Sequence, residues 1–87
     1  MKNKYILESL ASDLKRVALG LHRGSTTMAD RFIDESLKRK KEVDLTKVAP
    51  YIRDILNRLD KKINADDALM YSTLIQNYTT DKYIDYL

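Results

Sequence analysis

The sequence predicts an all-α protein, a small bundle of four short helices, and three observations support this fold class. Only two glycines and one proline occur among 87 residues, so few positions suit the tight turns of β-hairpins. Apolar residues recur three and four positions apart in four separate segments, as they do on one face of a helix. No internal repeat or low-complexity linker divides the chain, so we expect residues 1–87 to form a single helical domain.

The first helix is predicted from about residue 3 to residue 22. Its apolar stripe alternates three- and four-residue steps and consists of Leu7, Leu10, Leu14, Val17 and Leu21. Ala11 and Ala18 fall on the same stripe, and their small side chains allow a neighbouring helix to pack closely. His22 lies about 80° from the centre of the stripe, so we expect it to be a half-buried structural histidine.

The segment after the first helix contains both glycines and is predicted to be a corner between two helices. Gly24 suits the left-handed conformation that often follows a helix C-terminus. Ser25, Thr26 or Thr27 is then expected to cap the second helix. Thr27 and Asp30 also have the spacing of a capping box.

The second helix is predicted from about residue 27 to residue 42. Its thin apolar face consists of Ala29, Phe32, Ile33 and Leu37. Two ion pairs at i,i+4 spacing are expected on the outer side, and they join Asp34 to Lys38 and Glu35 to Arg39. The last turn is basic, which suits the negative end of the helix dipole.

The third helix is predicted to follow a cap at Asp44 or Thr46, because Pro50 is tolerated only near a helix start. Its stripe consists of Val48, Ile52, Ile55, Leu59 and Ile63. Tyr51 and Leu56 widen this stripe. We therefore expect the third helix to be the best core helix of the bundle.

The fourth helix is predicted to begin after Asn64, with Asp66 and Asp67 at its positive end. Its buried face is expected to consist of Ala68, Tyr71, Leu74, Ile75 and Tyr78. The final segment, TTDKYIDYL, is predicted to add a short helical turn that docks through Tyr83, Ile84 and Leu87.

Apolar residues on a second side of the fourth helix predict an interaction surface. Leu69 lies about 160° and Met70 about 100° from Tyr71, whereas a monomeric bundle buries only one side of a helix. We expect Leu69, Met70 and Thr73, joined by Leu19 of the first helix, to bind a protein partner or a second copy. This predicts a small cytoplasmic regulatory or adaptor protein, with a homodimer as the expected assembly. The alternative is that these are single exposed apolar residues without a role.

A weak anion site is a further expectation at the corner between the first two helices. The first backbone N–H groups of a helix have no partner within it, and a nearby cation strengthens their attraction for phosphate. The residues expected to form this site are Arg23, Ser25, Thr26 and Thr27. Capping of the helix without any ligand is the alternative interpretation.

The uneven charge of the chain indicates an alternative function. Residues 1–47 carry 11 Lys and Arg against 7 Asp and Glu, whereas residues 48–87 carry 5 against 6. The basic excess is greatest at Lys38, Arg39, Lys40 and Lys41. The alternative prediction is therefore a nucleic-acid-binding module that uses the basic end of the second helix.

The composition offers little support for catalysis, metal binding or a membrane location. The chain has one histidine, His22, and no cysteine, which excludes a thiolate nucleophile, a disulfide and a Cys-based zinc site. We expect no enzymatic activity and no cofactor. Glu8 and Asp13 interrupt the first apolar stretch and 18 apolar residues never run together, so we expect a soluble, unprocessed protein with no membrane partner.

Overall fold

The structure, a computed structural model, describes residues 2–84 and the side chains of residues 2–80. Its α-helices are α1 (Lys2–His22), α2 (Thr26–Lys40), α3 (Pro50–Arg58) and α4 (Ala65–Ile84), and a 3₁₀ turn, Leu45–Lys47, precedes α3. Residues 2–84 contain no β-strand, and the predicted all-α bundle is therefore confirmed.

Helix α1 lies between α2 and α4 and packs against both of them. The order of its contacts with α2 shows that these two helices are antiparallel. Gly20, near the end of α1, adjoins Ala29 near the start of α2. Asp13, further back along α1, pairs with Arg39 near the end of α2.

Helix α4 is also antiparallel to α1. Ala18 and Ala68 belong to one small buried cluster, which joins the end of α1 to the start of α4. Ser72 is buried further along α4, and its Oγ donates a 2.6 Å hydrogen bond to the carbonyl oxygen of Ala11. The hydroxyl is thereby satisfied where water cannot reach it.

The main core lies where α1, α3 and α4 meet, with contributions from the segment between α2 and α3. Its buried residues are Leu7, Leu10, Ala11, Leu14, Val43, Val48, Ile52, Ile55, Leu56, Leu59, Tyr71, Ile75 and Tyr78. Helix α1 buries more residues than α3 does, because α1 has a neighbour on each side and α3 has only nine residues. The expectation that the third helix is the best core helix is therefore wrong.

The corner between α1 and α2 has the predicted left-handed glycine. Of the three residues that the sequence offers as the cap of α2, the structure uses one. Gly24 has a φ of 73°, in the left-handed region that favours glycine. Ser25 is extended and its side chain accepts a hydrogen bond from the backbone N of Met28. Ser25 is therefore the N-cap, and the predicted capping box of Thr27 and Asp30 is not the start of this helix.

The predicted ion pairs on α2 are replaced by others. Lys38 lies 3.8 Å from Glu35, one residue closer in sequence than predicted. Asp34 instead lies 3.7 Å from Lys61, in the segment after α3. Arg39 pairs with the buried carboxylate of Asp13 on α1, at 2.7 Å, instead of with Glu35.

Helix α3 is shorter than its apolar stripe predicts. It ends at Arg58, and Leu59 remains buried beyond the helix end. Ala49 occupies the cap position without a side-chain hydrogen bond, and Pro50 is the first helical residue. Tyr51 is 48% exposed, so it does not widen the buried face as predicted.

Asp44 caps the 3₁₀ turn instead of α3. Its carboxylate accepts hydrogen bonds from the backbone N and the Oγ1 of Thr46, and these bonds lower the pKa of Asp44. Its backbone also exchanges two hydrogen bonds with the side chain of Asn3. This exchange fastens the start of α1 to the segment between α2 and α3.

Helix α4 confirms most of its predicted buried face and contradicts two details. Ala68, Tyr71, Ile75 and Tyr78 are buried, but Leu74 is 38% exposed because it lies at the edge of the face that meets α1. The helix continues to Ile84, so no separate turn begins at residue 79. The predicted docking through Tyr83, Ile84 and Leu87 lies outside the described side chains.

The close contact at Gly20 predicts a specific sensitivity to substitution. A Cβ atom at this position would lie 2.9 Å from the backbone N of Ala29 and 3.2 Å from its Cα. Alanine raises helix propensity by about 1 kcal/mol, but overpacking of this kind costs about 1–3 kcal/mol. We expect Gly20→Ala to lower the free energy of unfolding, measured by denaturant titration.

The control for this variant is Gly24→Ala, where an added Cβ has no neighbour within 4 Å. Its expected loss, about 1–2 kcal/mol, arises only from the left-handed backbone. A Gly20→Ala variant with increased stability contradicts the observed spacing of α1 and α2.

Candidate functional site

The outer face of α4 carries the exposed apolar residues that the sequence predicts. Leu69 is 45% exposed and Met70 is 47% exposed. Leu74 joins them, since it is exposed instead of buried. Thr73 lies on the same face, where its Oγ1 donates to the carbonyl oxygen of Leu69 and so needs no further partner for its proton. We call Leu69, Met70, Thr73 and Leu74 the α4 outer face.

The lack of charge along most of α4 is a further feature of this surface, and the sequence analysis above does not use it. Residues 68–80, ALMYSTLIQNYTT, contain no charged side chain, although 33% of the whole chain is Asp, Glu, Lys or Arg. A surface helix normally carries charged or polar residues on the face opposite its apolar stripe. The α4 outer face is therefore uncharged as well as partly apolar.

Leu19 lies on the side of α1 that borders α4. It is 40% exposed and follows Lys15 by four residues, which places it one turn further along the same side. Lys15 lines a groove between α1 and α4, together with Gln76. Leu69 precedes Gln76 by seven residues and so lies on a similar side of α4. This spacing puts Leu19 and Leu69 on the sides of α1 and α4 that border the groove, and binding of a partner through them stays a prediction.

The groove between α1 and α4 has a volume of about 370 Å³. It is lined by Lys4, Glu8, Ala11, Ser12, Lys15, Gln76, Thr79 and Thr80. This volume is at the small end of the range for ligand sites, which are enclosed and largely apolar, whereas these residues are mostly polar. The groove therefore lacks the apolar lining that is typical of a ligand site.

The four residues of the predicted anion site lie together at the start of α2. Ser25 is occupied as the N-cap, with Met28 as its partner. Arg23, Thr26 and Thr27 are exposed. This arrangement provides the predicted helix cap, and binding of an anion stays a prediction.

The basic run at the end of α2 is largely occupied within the protein. Arg39 Nε donates a 2.7 Å hydrogen bond to Asp13, and this bond raises the pKa of Arg39. Lys40 Nζ lies 3.1 Å from the carbonyl oxygen of Leu56 and 3.0 Å from that of Leu59. Of the four cations, Lys38 and Lys41 extend into solvent.

The buried carboxylate of Asp13 is the polar feature that sequence reasoning missed. Its side chain is only 6% exposed and contacts Arg39 at 2.7 Å and Arg16 at 3.6 Å. Removing a carboxylate from water is costly unless charged partners surround it. Its position toward the edge of the α1 stripe was the available signal, because such an acid faces the neighbouring helix.

His22 is exposed, so the expectation of a half-buried histidine is wrong. Among the described residues, no group of three or more His, Asp or Glu side chains is placed to hold a metal ion. No helix in the described part of the chain is both long and apolar enough to span a membrane.

Comparisons with known proteins add no relative to this description. A scan against protein-family models, a search of curated proteins and a search of solved structures each found no match.

The contacts of Lys40 predict that part of the basic run is structural. Its ammonium group binds two carbonyl oxygens at the C-terminal end of α3, where a positive charge is favourable. We expect Lys40→Met to lower the free energy of unfolding by about 1–3 kcal/mol, as loss of charged hydrogen bonds does. Lys41→Met removes the same charge from an exposed position and serves as the control in the same denaturant titration. Equal effects of the two substitutions contradict the structural role of Lys40.

Proposed function

We propose that this protein acts by protein association and forms a homodimer through the α4 outer face. The observation that supports this proposal is the exposure of Leu69, Met70 and Leu74 on a helix surface without charge. Exposed apolar groups that lie together, unlike scattered ones, mark interaction sites. Leu19 extends the same side of the bundle onto α1.

The absence of charge from residues 68–80 favours a second copy as the partner. In a two-fold dimer each surface patch meets itself, so any charge near the axis faces a like charge. An uncharged patch avoids this repulsion, and its apolar side chains can pack against the same apolar side chains of the second copy. A strongly charged partner, in contrast, finds no complementary charge on this face.

The size of the apolar patch predicts a reversible dimer. Full burial of a leucine or methionine contributes about 1.5–3 kcal/mol, and these side chains are already about half buried. Their remaining contribution is about half of that value each, against an association cost of several kcal/mol. Stable interfaces bury about 800 Å² on each partner, so neighbouring polar residues of α4 must also take part.

The cytoplasm is the proposed location of this activity. The chain has no cysteine, and its fold therefore needs no oxidising compartment. We propose a regulatory or adaptor role there, because the fraction of a reversible dimer depends on the protein concentration.

Nucleic-acid binding through Lys38–Lys41 is the weaker proposal. Arg39 and Lys40 each hold an intramolecular partner, so a phosphate has to compete with Asp13 or with the carbonyl oxygens after α3. Lys38 lies 3.8 Å from Glu35, which leaves Lys41 as the cation of this run without such a partner among the described residues.

Substitution of the two most exposed apolar residues of the α4 outer face tests the dimer. We expect sedimentation velocity over a dilution series to show a monomer–dimer equilibrium for the wild type. The Leu69→Glu, Met70→Glu double variant is expected to stay monomeric, because like charges then face each other across the two-fold axis. Its circular dichroism spectrum should match that of the wild type, since both side chains lie outside the core.

Two further samples separate this surface from a general effect of charge. Leu45→Glu introduces a charge at another apolar residue, 38% exposed, and should leave the dimer intact. An equal mixture of Leu69→Glu and Leu69→Lys should form a mixed dimer, because opposite charges then meet. A wild type that stays monomeric at the highest concentration contradicts the proposal, as does a dimer that survives the double substitution.

A further inference from the structure

Two arginines lie over one aromatic ring where α1 and α2 meet. The guanidinium carbon of Arg16, on α1, is 5.3 Å from the ring centroid of Phe32, and that of Arg31, on α2, is 5.5 Å from it. Both arginines are exposed and the phenylalanine is half-buried. The ring therefore holds two solvent-facing cations in place, and we call these three residues the Arg–Phe–Arg cluster.

The cluster carries more positive charge than its neighbours neutralise. Asp13 supplies one negative charge, which Arg16 shares with Arg39, so these three residues together leave +1. Among the described side chains, no carboxylate lies within ion-pair distance of Arg31. Arg31 adds a second uncompensated charge, and the local balance is +2.

The acidic residues of α2 that follow Arg31 by three and four positions, Asp34 and Glu35, each have a lysine partner. Asp30 and Asp34 each lie two positions from Phe32, about 160° around the helix from it. Asp34 lies 3.7 Å from Lys61, in the segment after α3. Glu35 is the acid on the cluster's side, and Lys38 lies 3.8 Å from it.

We propose that the Arg–Phe–Arg cluster binds single-stranded nucleic acid. A guanidinium binds phosphate oxygens through paired N–H donors, and its flat faces stack on rings. A guanidinium supported on one side by Phe32 can present its other side to an unpaired base, which an acidic peptide does not offer. Bases in a duplex are already stacked on each other, so the unpaired strand fits this cluster better.

This site differs from the basic end of α2 and from the α4 outer face. Neither Arg16 nor Arg31 belongs to the basic run Lys38–Lys41 or to the α4 outer face. The two arginines come together through the packing of α1 on α2. Binding here is therefore independent of dimer formation.

Binding of a fluorescein-labelled oligothymidine, measured by fluorescence anisotropy at several salt concentrations, tests the proposal. Each phosphate contact to a single strand contributes about 0.7 to the slope of log affinity against log salt. We expect the wild type to bind at low salt with a slope of at least about 1.4. The Arg16→Gln, Arg31→Gln double variant should lose about 1.4 of that slope.

The Arg53→Gln, Arg58→Gln variant is the matched control, because it removes the same net charge from exposed positions on α3. It should retain the wild-type slope. Phe32→Leu keeps an apolar side chain and both cations, so it should weaken binding severalfold with the slope unchanged. Circular dichroism of each variant confirms that the fold is kept, and Arg31→Gln alone replaces the double variant if Arg16 is needed for folding.

Three results overturn the proposal. The first is an absence of wild-type binding at low salt. The second is an equal loss of binding in the α3 control, which means that only net charge matters. The third is competition by polyglutamate as effective as that of unlabelled oligothymidine, which assigns the cluster to acidic proteins instead.

Discussion

The position of α1 between two helices constrains the rest of the molecule. On one side, Gly20 allows the backbone of α2 to approach so closely that no Cβ fits in the gap. On the other side, small alanines face α4, and Ser72 places its hydroxyl on the carbonyl oxygen of Ala11. Small residues therefore set both helix spacings, and the large apolar side chains fill the remaining space that α3 closes.

Pairing inside the bundle decides which cations remain available at its surface. Arg39 binds Asp13 and Lys40 binds the end of α3, so two cations of the most basic run in the sequence already have partners within the protein. Arg31 stands alone in the sequence, yet packing brings it close to Arg16 around a shared ring. The chemistry of the surface therefore follows from helix packing more than from clusters along the chain.

Periodicity was sufficient to predict four helices because each helix buries one face, but it does not show where a helix ends. Leu59 is buried at the predicted interval, although α3 has already ended before it. Leu74 fits the predicted stripe, yet its exposure depends on which side of α4 the neighbouring helix lies. The contact of Asp13 with Arg39 joins residues 26 positions apart, and no local spacing identifies such a partner. The exposure of Leu69 and Met70 was predictable because they lie about 160° and about 100° around the helix from Tyr71.

The hydrogen bond from Ser72 to Ala11 spans 61 residues, whereas the contact of Arg39 with Asp13 spans 26. During synthesis, α1 and α2 can therefore pair as a hairpin before α4 exists. At ~5–20 residues per second, the 33 residues from 39 to 72 take roughly 2–7 s to add. Throughout that interval the nascent hairpin exposes the side of α1 that α4 later covers. Because Ala11 and Ala18 have small side chains, this side of α1 exposes less apolar area to a chaperone or to a neighbouring nascent chain.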